Sequence, residues 1–211
     1  MLPDPPTPHT LRSLGIEADE TRVIGVDEVW WRVHRTEGTF VLAWNAFRMF
    51  GPLLRVDPHA LPRAEDPTHG VWYGASTPDA ALGEAFQVHR TIDRERNSPY
   101  LTGLSFGRPL TVVDLAADSE GAWATRVGGP FAISTGRRAV TQHWARNIVE
   151  AFPDLDGLRY NSRFAGAPCL ALFLPALTAT PARPKLSLPL MRPDLASRIA
   201  GAAKRLGYSV V

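Results

Sequence analysis

The segment Val71-Trp72-Tyr73-Gly74-Ala75-Ser76-Thr77-Pro78-Asp79-Ala80-Ala81-Leu82-Gly83-Glu84 decides how the chain folds, because it joins a short strand to a helix through an abrupt corner. Val71-Trp72-Tyr73 is an apolar, β-favouring run of the kind that forms a buried strand. Thr77 offers a side-chain oxygen to the first free N–H groups of a helix. Pro78 presets the backbone at the first helical position, and Asp79 complements the helix dipole. Projected at about 100° per residue, Ala81, Leu82, Ala85, Phe86 and Val88 gather on one side, with Glu84 at the edge of that cluster. A carboxylate there can look into a pocket, or it can be an ordinary solvated rim residue; periodicity leaves both open.

Upstream, Val29 to His34 alternates as a strand does, with Trp30, Arg32 and His34 on one face and Trp31, Val33 and Arg35 on the other. Phe40 to Trp44 reads as a second short strand, and the Pro-, His- and Asp-rich stretch from Gly51 to Gly70 as a long ordered loop. Downstream, Tyr100–Phe106 and Leu110–Leu115 read as strands joined by the turn Gly107-Arg108-Pro109. The strongest helix runs from a cap at Thr135 to Phe152, with Val140, Trp144, Ile148 and Ala151 as its apolar stripe and Pro153 as its stop. Strands at Gly157–Tyr160 and Cys169–Leu174 follow, then Pro-rich irregular chain from Pro175 to Pro193 and a last helix, Asp194–Leu206, ended by Gly207. Residues 1–10 read as an extended, Pro-rich arm. Strand pairs mixed with isolated helices predict a single α+β domain and not a doubly wound sheet. Residues 1–27 form its lead-in, 28–175 its body, and 176–211 an extension whose helix packs on the same domain. A Gly-x-Gly-x-x-Gly turn and a Walker loop are both absent, which argues against a Rossmann or P-loop nucleotide site.

With 211 residues, 45% of them hydrophobic and 21% charged, the chain has an ordinary globular composition. A net charge of +2 gives no reason to expect a nucleic-acid or membrane partner. Gly136-Arg137-Arg138 reads as a solvated helix start, or else a small basic patch. Cys169, the single cysteine, lies in an apolar run and reads as a core residue; it excludes an internal disulfide and a cysteine-based zinc cluster. Six scattered histidines imply no metal. The apolar run 169–174 is too short to span a bilayer, and the first residues lack a secretory pattern, so the expected compartment is the cytoplasm.

Several short motifs in order resemble the RES domain family, named for an Arg, a Glu and a Ser. Here these are Arg32 in Trp31-Arg32-Val33-His34-Arg35, Glu84 in Ala81-Leu82-Gly83-Glu84, and Ser162 in Tyr160-Asn161-Ser162-Arg163. Gly51-Pro52, Arg55-Val56-Asp57-Pro58-His59, Trp72-Tyr73-Gly74-Ala75-Ser76, Gln142-His143-Trp144-Ala145 and Leu155 to Tyr160 add to it, covering residues 28 to 175. Val56, where the family often has an aromatic residue, and the Pro-rich C-terminal extension depart from the shared pattern. The resemblance implies an ADP-ribosyltransferase-like fold with a mixed β-sheet core and flanking helices. It also implies NAD as substrate without a separate cofactor, and an Xre-type antitoxin partner covering the active site. The activities it implies are NAD phosphorolysis (an NAD phosphorylase), NAD hydrolysis (an NAD glycohydrolase), or transfer of ADP-ribose to a protein. A non-catalytic module that only binds nucleotide or a partner is the reading from another class.

For those activities the residue types make chemical sense. Breaking the nicotinamide–ribose bond builds positive charge on the sugar, which a carboxylate stabilises; Glu84 is the candidate. Arg32 suits a pyrophosphate through bidentate, permanently charged hydrogen bonds, although an arginine on a strand can also form a sheet-face ion pair. Tyr73 can stack on nicotinamide or hold the ribose, or be a half-buried core residue. Ser162 is read as a ribose contact or as a support for Glu84, against the plainer role of capping a turn, and not as a nucleophile, since no His–Asp pair accompanies it. His34 and Arg55 are secondary candidates, for a ribose or phosphate oxygen and for the second phosphate. Trp123 and Trp144 read as core.

Overall fold

The computed structural model describes residues 2–129 and 136–211. Twelve strands and five α-helices follow in order: α1 (Pro8–Leu14), β1 (Thr21–Ile24), β2 (Trp30–Arg35), β3 (Phe50–Gly51), β4 (Ala64–Glu65), β5 (Trp72–Ala75), α2 (Pro78–Ala85), β6 (Thr91–Ile92), β7 (Pro99–Leu104), β8 (Leu110–Asp114), α3 (Trp123–Arg126), α4 (Arg138–Ala151), β9 (Gly157–Asn161), β10 (Pro168–Leu172), β11 (Leu186–Pro189), α5 (Ala196–Leu206) and β12 (Ser209–Val210). Eight strands build one mixed sheet in the order β1-β8-β9-β10-β5-β2-β7-β11, in which only β8 and β9 run parallel. This is the single α+β domain expected from the sequence.

β7 and β8 are consecutive in the chain yet occupy the seventh and second places in that sheet, so they do not form the hairpin-like pair their turn suggested. On a flat sheet these places lie about 24 Å apart at the usual strand spacing. The link 105–109 is too short to span that, so the sheet must curl until its two halves face each other. Ile24, Leu110, Val112, Leu170 and Leu172 from one half share an inner core with Trp30, Trp72 and Leu104 from the other. Outside, α4 lays Trp144, Ile148 and Ala151 against Val113, Leu158 and Ala171. On the far side, α2 and α5 cover Ala75, Leu101 and Cys169 with Ala81, Leu82, Ile199 and Ala203. Each large side chain so buried contributes about 1.5–3 kcal/mol.

Four local expectations are corrected. The N-terminal arm is not extended: Thr7 caps α1, Leu11 is fully buried, and Trp144 Nε1 donates to Pro3 O at 2.9 Å. Phe40–Trp44 forms no strand, because the segment pairs with no neighbour and Phe40 is 91% exposed. α2 stops at Ala85 with Phe86 as its cap, so Val88 falls outside the helix and lies in solvent. The Pro-rich stretch after Leu174 contains a 3₁₀ turn and β11, an edge strand on β7 where Pro189 has no neighbour to deprive of a hydrogen bond. The segment 51–70 is ordered as expected, with β3 and β4 paired across it. Gly207 ends α5 at φ 68°, the left-handed conformation that favours glycine. Thr135, expected to cap the long helix, lies outside the described residues. Among the described residues, no helix is long and apolar enough to cross a membrane.

Candidate active site

β2 and β5 touch at one residue pair only, Trp31 opposite Ala75, and then diverge. The split opens a cleft of about 230 Å³, with Arg32 and Val33 on one lip, Tyr73 and Gly74 on the other, and Glu84 of α2 beside them. Arg32 and Glu84 therefore share one cavity although they lie on different faces of the sheet. Among the described residues five arginines line it, Arg32, Arg48, Arg55, Arg138 and Arg163, and Glu84 is the only acidic one. Arg48 is paired with Asp57; the other four have no ion-pair partner among the described residues. Such a surplus of guanidinium groups fits a ligand rich in phosphate.

Glu84 sits in the last turn of α2, half-buried, and its Oε1 accepts a hydrogen bond from Ser162 Oγ at 2.7 Å. Ser162 is itself fixed by the tight turn after β9, where its Oγ accepts from the N–H groups of Phe164 (3.2 Å) and Ala165 (3.3 Å). It stands behind Glu84 and does not line the cavity. Of the roles expected for it from the amino-acid sequence, the geometry shows two together, the turn cap and the support for Glu84. Burial raises the Glu84 carboxyl above the usual carboxylate range, although the Ser162 hydroxyl and the positive charges of Arg163 and Arg55 favour the ionised form.

Arg32 lies at the bottom of the opposite lip. Its Nη1 donates to Trp44 O at 3.2 Å and Ala46 O at 2.9 Å, and its guanidinium sits 5.5 Å from the centre of the Trp72 ring. Trp72 Nε1 donates to the same Trp44 carbonyl at 2.8 Å, so one oxygen aligns both side chains. Burial and neighbouring Arg48 pull Arg32 down to about 9, which still leaves it cationic at neutral pH. The Trp72 ring reaches this position only because residue 74 is glycine: a Cβ there would stand 2.3 Å from the ring. Gly74→Ala is therefore expected to push the indole off Arg32 and weaken binding of a phosphorylated ligand by roughly tenfold or more, measured by titration calorimetry.

Tyr73 lines the cleft, but its hydroxyl is committed: it donates to Asp57 Oδ1 at 2.7 Å. Asp57 is fully buried and also accepts from Arg48 Nη2 and from the backbone N–H groups of Leu53 and Leu54. This ties the 51–59 loop to the sheet and carries Arg55 to the rim, where its Nη1 donates to Gly136 O. His34 does not line the main cleft. It is buried next door, with Nδ1 3.3 Å from Thr102 Oγ1 and its ring 5.7 Å from that of Tyr100. Burial and the charge of Arg32 lower it to about 4, so it is neutral at physiological pH. Sequence reasoning singled out neither Asp57 nor Tyr160, which lines the cleft with no hydrogen bond from its hydroxyl among the described residues. It read Arg138 as part of a solvated helix start or else of a small basic patch; Arg138 is exposed, at the cleft rim. Cys169 is buried, and burial raises its thiol well above the usual range, consistent with an inert core residue.

The family model described as RES domain matches residues 29–191, most of the chain and all three of the named residues. The chain belongs to the RES domain family. Among curated proteins, no sequence matches it. The RES fold seen here is similar to a chain in the crystal structure of the M. tuberculosis MbcT–MbcA toxin–antitoxin complex. That likeness has a TM-score of 0.59 at 17% identity and covers 92% of this chain and 96% of that one. At that identity it is a likeness of fold. The RES match runs past β10 through β11, so the edge strand lies within the matched region.

Proposed function

We propose that this RES domain is a NAD-consuming enzyme that breaks the nicotinamide–ribose bond and passes ADP-ribose to phosphate or water. The observation that carries this reading is Glu84, a partly desolvated carboxylate held by Ser162, facing across one cleft the half-buried Arg32, which has no acidic partner among the described residues. In the reaction the C1′–N1 bond breaks with its electron pair going to nicotinamide, which departs neutral. The ribose gains oxocarbenium character, and the ionised Glu84 stabilises it. The acceptor oxygen then bonds to C1′ and gives up its proton. Arg32, helped by Arg55, Arg138 and Arg163, holds the pyrophosphate so that C1′ stays beside Glu84. Tyr73 shapes the nicotinamide side by its ring, its hydroxyl being occupied by Asp57.

The MbcT–MbcA neighbour is part of a toxin–antitoxin complex, which supports a toxin role for this chain with an antitoxin partner; that this partner is of Xre type and covers the cleft is what the family resemblance implies. The test is incubation of the purified chain with NAD, with and without inorganic phosphate. Nicotinamide release that depends on phosphate supports phosphorolysis, and release without it supports hydrolysis. Label on a protein instead indicates ADP-ribosyl transfer. No nicotinamide release under any of these conditions ends the reading.

The pH profile follows from the same geometry. Activity needs Glu84 ionised, so the rate falls as pH drops through its raised pKa, at a higher pH than an ordinary carboxylate would give. Ser162→Ala removes a hydrogen bond that favours the charged form and is expected to move this acid limb to still higher pH. A profile unmoved by the substitution would separate Ser162 from the function of Glu84.

A further inference from the structure

We propose that the recess on the far side of Arg32, walled by Phe40, Leu42, His34 and Phe86, is the subsite for the adenine ring of the dinucleotide, with the base stacked on Phe40; this rests on the cleft being a NAD site. The recess is about 210 Å³ in volume and shares Arg32, Val33 and Ala85 with the main cleft, so the two spaces adjoin along these residues. Arg32 stands at the junction. A dinucleotide whose pyrophosphate lies on Arg32 and whose ribose lies beside Glu84 must send its other half into one neighbouring space, and this recess adjoins at Arg32.

The lining suits a flat, uncharged ring. Val33, Leu42, Ala85 and Phe86 are apolar, Arg35 joins Arg32 in the lining, and among the described residues no acidic side chain lines it. His34 is buried and supplies a polar edge, fixed by Thr102, whose Oγ1 lies 2.7 Å from Ser187 Oγ. Phe40 is 91% exposed, an aromatic ring with almost no contact of its own. Its loop is nevertheless anchored at both ends: Thr36 N and Glu37 N donate to Ser98 O and Asn97 O on one side, and Arg32 holds Trp44 and Ala46 on the other. An anchored loop that leaves one ring in solvent beside a nucleotide-sized cleft provides a stacking face, and every base has a π-face to match it.

The experiment uses the full chain and steady-state NAD consumption, with ADP and ribose 5-phosphate as inhibitors. Phe40→Ala, an exposed position that does not endanger folding, is expected to raise KM for NAD roughly tenfold while kcat stays within about twofold. The inhibition constant of ADP rises by the same factor, and that of ribose 5-phosphate, which lacks a base, does not. Phe40→Trp retains tight binding. A KM within twofold of the parent in Phe40→Ala overturns the subsite, as does equal weakening of ADP and ribose 5-phosphate, or failure of ADP to inhibit the parent. Absence of NAD consumption by the parent overturns the underlying reading instead. If Phe40→Ala loses affinity only for a protein partner, the ring serves docking and the subsite is wrong.

Discussion

Glu84→Gln is expected to yield a folded protein that cleaves NAD roughly 10²–10³-fold more slowly than the parent, the usual cost of removing one electrostatic stabiliser from a transition state. The substitution is nearly isosteric, and the amide oxygen can still accept from Ser162 Oγ, so the geometry around α2 is preserved. What disappears is the negative charge that, in the proposed reaction, faces C1′. The loss should fall on kcat far more than on KM, because the charge on the ribose grows only as the bond breaks. Stability should move the other way. Burial raises the Glu84 pKa in the folded state, so its charged form weakens folding at every pH above that value. A neutral glutamine removes this penalty, and its midpoint of thermal unfolding at neutral pH should equal or exceed that of the parent. A variant that still consumes NAD at the parent rate would strip Glu84 of its role.

The sequence made the strand–helix corner at 71–84 readable because its signals are local: Thr77, Pro78 and the apolar run of β5 each act within one turn of chain. Arg32 was readable as a strand residue for the same reason, since alternation alone separates it from Trp31 and Val33. The similar pair Thr7-Pro8 also begins a helix, α1, but the prolines around it pointed to an extended arm. What makes α1 fold is its seat on α4, with Arg12 Nη2 donating to Glu150 O at 2.8 Å, a contact 138 residues away in sequence. Pairing was less legible than the strands themselves. Nothing in the turn 107–109 shows that it crosses from one half of a curled sheet to the other, because that depends on the shared inner core. Within the site, Glu84, Ser162 and Arg32 were legible through motif resemblance, whereas Asp57 was passed over inside a quoted motif. Its four partners are contributed by strand, loop and side chain, and no single local pattern reveals them.

Asp57 carries the largest expected effect on stability. Its carboxylate is fully buried and answers four donors: Arg48, the Tyr73 hydroxyl, and the N–H groups of Leu53 and Leu54. Asp57→Ala takes this acceptor from all four and leaves the Arg48 guanidinium, only 17% exposed, with Phe50 O but no counter-charge among the described residues. Removing one partner of a buried ion pair costs about 3–5 kcal/mol, set against a total stability of about 5–15 kcal/mol for a typical domain. Chemical denaturation should show that loss, with a midpoint of thermal unfolding lower by about 10 °C. Asp57→Asn should recover only part of it, since an amide has one acceptor oxygen and turns an N–H group towards donors. The cleft should suffer as well. Leu54 and Arg55 reach it on the loop that Asp57 holds, and Gln142 Nε2 grips the same loop by donating to Leu54 O at 2.8 Å. Even at a temperature where the variant is folded, affinity for NAD should therefore fall more than kcat. The two substitutions separate the cleft into parts: Glu84 is the group proposed to act on the reacting sugar, and Asp57 holds the wall that carries Arg55, proposed for the phosphates. An Asp57→Ala protein with the parent's unfolding midpoint would mean that the loop is held by its apolar contacts and not by this carboxylate.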